Sequence, residues 1–80
     1  MKMQIKIGNF DRVKEFVELV RYFDSDLFLK HGRYVIDAQS IMGILSISFD
    51  KVLELEIIEK SAGEKDKLHL LMKEHGFLVD

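Results

Sequence analysis

No cysteine occurs among the 80 residues. That excludes a disulfide framework and a thiolate metal site, and it fits a reducing cytoplasm. Proline is absent too, so nothing marks a rigid linker. With no repeat and no low-complexity tract, a domain boundary has nowhere to fall, and residues 1–80 are expected to form one domain. No apolar run approaches the roughly 20 residues of a membrane-spanning helix. Residues 1–7 alternate polar and apolar instead of building the apolar core of a signal peptide, so a cytoplasmic protein without membrane contact is expected. An excess of either charge is also missing, since 12 basic residues stand against 14 acidic ones. Nucleic-acid binders rely on a broad basic field, so no direct nucleic-acid contact is expected.

The hydrophobic fraction is 48%, ample for one core. A chain this short still buries only about two-thirds of its unfolded surface, which leaves a thin stability margin. Met3, Ile5 and Ile7 alternate with Lys2, Gln4 and Lys6, the period of a strand with one buried face. Gly8 and Asn9 break that pattern, and Asn9 or Asp11 can cap the helix that follows. Its apolar stripe is Val13, Phe16, Val17, Val20 and Phe23. Residues 27–30 and 34–38 read as two strands joined by a tight turn at His31 and Gly32. A short helix over 40–46 with Ser40 at its N-cap and a strand carrying Leu53, Leu55 and Ile57 come next. Ser61 and Glu64 have the spacing of a capping box, opening a last helix that buries Leu68, Leu71 and Met72 and stops at Gly76. The order β-α-β-β-α-β-α predicts an α+β fold with the helices on one face of an antiparallel sheet.

Residues 40–48 contain no charge, although 32% of the chain is charged. Gln39, Ser40, Ile41, Met42 and Gly43, followed by the apolar Ile44 and Leu45, resemble the regulatory-serine segment of HPr, the phosphocarrier of the bacterial sugar phosphotransferase system. The resemblance follows the element order over nearly the whole chain, and it is sharp only around Ser40. It implies a single HPr-like open-faced sandwich with a four-stranded antiparallel sheet. It also implies that Ser40 occupies the position of the family's regulatory phosphorylation site.

The other end of the family's pattern is missing. HPr proteins carry an active His that caps the first helix, followed by Ala, Arg and Pro. Counting back from Asp24 without a gap places Asn9 at that His, Phe10 at the Ala, Asp11 at the Arg and Arg12 at the Pro. An amide cannot replace an imidazole nucleophile, because its nitrogen lone pair is delocalised into the carbonyl. Asp11 would repel a phosphoryl group where the family's Arg steadies one. Arg12, one position on, could compensate for charge but not for the nucleophile. The chain thus resembles paralogues that lack the active His and keep the regulatory Ser, and a working phosphocarrier is not expected.

A two-turn helix cannot point five large apolar residues inward at once. Some of Ile41, Met42, Ile44, Leu45 and Ile47 should therefore be exposed, and Ile41, Met42, Ile44 and Leu45 are the candidate docking surface for a protein partner. His31, His69 and His75 read as ordinary surface histidines, and Glu54, Glu56 and Glu59 as the solvated side of a strand. No nucleophile–base pair, Gly-rich phosphate loop or metal motif appears, so neither an enzyme nor a cofactor nor a metal site is expected. The expected function is a non-catalytic regulatory protein phosphorylated at Ser40. The partners implied are an enzyme like HPr kinase and a transcription regulator or metabolic enzyme. The alternative is a degenerate HPr-like interaction or structural domain with no phosphorylation.

Overall fold

The computed structural model describes residues 1–79. The elements are β1 (Lys2–Lys6), α1 (Phe10–Val20), β2 (Asp26–His31), β3 (Tyr34–Asp37), α2 (Ile41–Leu45), β4 (Val52–Ile58) and α3 (Glu64–Glu74). The four strands form one sheet in the order β1-β4-β2-β3, and every neighbouring pair is antiparallel. This is the predicted β-α-β-β-α-β-α order. Among the described residues, no helix is long and apolar enough to cross a membrane.

Register follows from the side-chain period of two. Met3 faces Leu55, which faces Leu29, and Ile5 faces Leu53. These residues lie on one side of the sheet and are buried with Leu27 and Ile57. Slipping any strand by one residue would turn that row to water. Val13, Phe16 and Val20 of α1 and Leu68 and Met72 of α3 close over the same face. Each fully buried Leu or Ile there contributes about 1.5–3 kcal/mol. On the opposite face Lys30 bridges Glu54 (3.8 Å) and Glu56 (2.5 Å). The hydrogen bond between Lys30 and Glu56 lowers the Glu56 pKa and raises that of Lys30. Two of the three glutamates read as merely solvated are thus cross-strand partners.

Three local expectations need correction. The hairpin turn is Gly32-Arg33, because β2 runs on to His31, which pairs with Tyr34. Gly32 has φ +60 while Arg33 keeps a negative φ, which fits a II′ turn with Gly first. Phe23 lies beyond the end of α1 but still packs into the core.

The capping box at Ser61 is not formed. Gly63 takes φ 87 just before α3, so the chain enters the helix at Glu64 with no side-chain cap from Ser61. The Glu64 carboxylate instead crosses to the loop before β2. It accepts hydrogen bonds from the Asp24 N–H (3.1 Å), the Ser25 N–H (2.8 Å) and the Ser25 hydroxyl (2.6 Å). The Ser25 hydroxyl bond, foremost among these, holds the Glu64 pKa below the usual carboxylate value. Glu59 takes over at the helix start, accepting from the Lys65 N–H at 3.0 Å.

Candidate functional site

The two segments singled out by sequence are both helix starts. At the first, Asn9 has extended backbone and its Oδ1 accepts the Arg12 N–H at 3.0 Å, so Asn9 rather than Asp11 is the cap. Asp11 points outward and meets Lys14 only at 3.7 Å. Arg12 is not available to a ligand at Asn9. Its guanidinium donates to Glu15 Oε1 (2.7 Å) and to the His75 carbonyl (2.6 Å), and it lies over the Phe77 ring, 3.9 Å from the centroid. His75 Nδ1 also approaches Glu15 Oε2 at 3.2 Å. The Arg12 hydrogen bond, assisted by His75, holds the Glu15 pKa down. Arg12 therefore closes the C-terminal end of α3 against α1, which removes the reading that it compensates for the missing Arg. His75 falls just outside α3 and belongs to this same junction.

At the second start, Ser40 is the N-cap of α2. Its Oγ accepts the Gly43 N–H at 3.1 Å, and its carbonyl accepts the Ile44 N–H at 3.0 Å. A Cβ at position 43 would make ordinary contact with Ser40 Cβ and Oγ at 3.4 Å, so the cap itself does not demand glycine there. The approach to Ser40 is held by neighbours the sequence did not reveal. Gln39 Nε2 donates to the Val20 carbonyl (2.9 Å) and the Phe23 carbonyl (3.0 Å), tying the start of α2 to the end of α1. Asp37 Oδ1 accepts the Gln39 N–H at 2.9 Å, and the Asp37 carbonyl accepts the Ser40 N–H at 3.1 Å. Ser40→Ala is expected to cost about 0.5–2 kcal/mol, while Ser40→Asp, itself a good cap, stays near the parent in urea unfolding. Equal losses would mean that the cap does not matter.

Helix α2 divides its apolar side chains between two faces. Ile44 is fully buried in the core, and Ile41 and Ile47 are partly buried against it. Met42 is 76% exposed and Leu45 37%. Ile44 therefore has no surface to offer a partner and leaves the candidate docking set. The reason is phase: Ile41 and Ile44 stand three apart on the face turned to the core, and Met42 and Leu45 three apart on the other. At the end of the helix and just past it, Leu45, Ser46, Ile47 and Ser48 meet His31 and Tyr34 around a cavity of about 320 Å³. His31, read from sequence as an ordinary surface histidine, lines that cavity, a proximity only the hairpin register creates.

No family model and no curated protein matches this chain. Among solved structures, the crystal structure of HPr-C-His from Thermoanaerobacter tengcongensis matches it with a TM-score of 0.70. The match covers 90% of this chain and 89% of that one, at 24% sequence identity. The fold is that of HPr. Within this HPr-like frame, Asn9 caps the first helix and Ser40 the short second helix.

Proposed function

We propose that this chain is a non-catalytic HPr-like regulatory protein that carries no phosphate at the start of α1 and docks a protein partner through the outer face of α2. Phosphorylation of Ser40 by an enzyme like HPr kinase would set the interaction, and the partner would be a transcription regulator or a metabolic enzyme in a bacterial cytoplasm. The observation carrying this reading is the exposure of Met42 beside a half-buried, capping Ser40. A thioether on a flexible stem adapts to partner surfaces, and its exposure has no use for the fold. A phosphate on Ser40 would add nearly two negative charges to an uncharged surface. With only five residues in α2, its support would come from the nearby N–H groups more than from a helix dipole.

The Ser40 Oγ already serves Gly43 as a cap, and this favours a second reading in which α2 docks with no phosphorylation at all. Incubation with a bacterial HPr kinase and ATP separates the two. Intact-mass and peptide analysis is expected to find one phosphate, on Ser40, and none in Ser40→Ala. A chain left unmodified while a control HPr is phosphorylated would remove the regulatory reading and leave the second.

A further inference from the structure

The two outer edges of the sheet are not alike. At β1 the C-terminal segment lies alongside: the Lys6 N–H donates to the Phe77 carbonyl and the Val79 N–H to the Gln4 carbonyl, both at 2.9 Å, with Leu78 bridged to Ile5. Along β3, among the described residues, no strand covers the outer side. Tyr34 is 62% exposed and Val35 56%. Edge strands are commonly guarded by shortness, charge, proline or a bulge, and β3 is short and carries one charge, Asp37. Residues 34–37 contain neither lysine nor proline, and their register with β2 runs without a break.

The phase of this edge can be read from one bond. The Ala38 N–H donates to the Leu27 carbonyl at 2.9 Å, in the same register as the β2–β3 pairs. In an antiparallel ladder such residues alternate. Ile36 and Tyr34 thus turn their backbone groups toward β2, and Val35 turns its N–H and C=O outward. We infer that the outer edge of β3 is a self-association surface on which two copies pair antiparallel about Val35, the Arg33 of each facing the Asp37 of the other.

This register follows from what each residue presents. Val35 meets its own copy and exchanges both hydrogen bonds with it, as only an outward-facing pair can. Tyr34 stands opposite Ile36 on the helix-covered side, joining an exposed aromatic to a half-buried aliphatic. Arg33 and Asp37 come together twice by symmetry, with opposite charges across the strands. A shift of two residues in the pairing would lose both charge pairs. The contact is isologous and therefore closes as a dimer. Growth beyond two is blocked because the β1 edge is already occupied. Four residues a side make a small interface, so the dimer is transient and concentration-dependent. The inference is independent of Ser40 and of the proposed docking function.

Sedimentation velocity over a concentration series tests it. The parent chain is expected to pass from monomer to dimer as concentration rises. Val35→Pro removes an outward N–H that β2 does not use, so it is expected to abolish the dimer while leaving the circular dichroism spectrum unchanged. Arg33→Glu, in the exposed turn, places like charges together and is expected to weaken association about tenfold. Asp37→Arg does the same from the other side, and because it also removes the acceptor of the Gln39 N–H its circular dichroism spectrum is compared with the parent's. Mixing the two variants is expected to restore association, because in the mixed dimer each carboxylate at these two positions again faces a guanidinium across the strands. A parent chain that stays monomeric up to about 1 mM would overturn the inference. So would a dimer that persists in both Val35→Pro and Arg33→Glu.

Discussion

Phosphoenolpyruvate, delivered through the first enzyme of the phosphotransferase system, is expected to leave this protein unlabelled, and Asn9→His is expected to recover little of the transfer. At the position that the HPr resemblance assigns to the phosphate acceptor, the parent chain has an amide, and its oxygen is committed to the Arg12 N–H. Installing imidazole supplies the nucleophile alone. Asp11 would still present a carboxylate in the first turn of α1. Arg12, in the first turn of the same helix, would have to abandon Glu15, the His75 carbonyl and the Phe77 ring to reach a phosphoryl group. Giving up two charge-assisted hydrogen bonds and the stacking on Phe77 at once makes that release unfavourable. Stoichiometric acid-labile phosphate on His31, His69 or His75 of the parent would overturn the first expectation. Transfer to Asn9→His at the rate of an HPr control would overturn the second.

Ile44→Ala is expected to lose about 2–5 kcal/mol in urea unfolding, because it empties a fully buried site in a close-packed core. For a domain whose total stability is only about 5–15 kcal/mol, that loss is severe. Met42→Ala, two residues away and 76% exposed, is expected to stay within about 0.5 kcal/mol of the parent. Similar losses for both would mean that α2 does not sort its side chains as described. A neutral Met42→Ala that also weakens partner binding would identify a contact residue by a route that a purely structural residue cannot mimic.

The sheet was legible because its first and last strands alternate with period two, and the middle pair is rich in strand-forming residues on either side of a glycine turn. Met3 and Ile5, and Leu53 and Leu55, alternate without ambiguity, and the buried rows follow. Ser40 was legible as a cap, and Asn9 as one of two candidates beside Asp11, because a cap needs only a short polar side chain just before a helix. The turn at Gly32-Arg33 and the end of α1 before Phe23 were missed locally, and the larger failures lie in contacts between segments distant in sequence. Ser61 and Glu64 satisfy the capping-box spacing, yet a left-handed Gly63 and a loop nearly forty residues earlier decide where the carboxylate goes. The partners of Arg12 arrive from the far end of the chain, 63 residues on. In α2, five apolar side chains in a short uncharged block give no phase of their own, so the sequence could not say that Ile44 is core and Met42 is not. The cavity beside His31 depends on the hairpin register and on the loop after α2 together. Within the candidate site, the caps could be read from spacing and the accessible surface could not.

The outer face of α2 as the docking surface is tested most directly by amide NMR of the labelled chain titrated with a bacterial HPr kinase in the absence of ATP. The expected result is that shift changes and broadening concentrate at Ser40, Met42 and Leu45, with Ile44 responding only through its backbone. Saturation with no response at these residues, or a response confined to Asn9, Phe10 and Asp11 or to the open face of the sheet around Lys30 and Glu54, would contradict it.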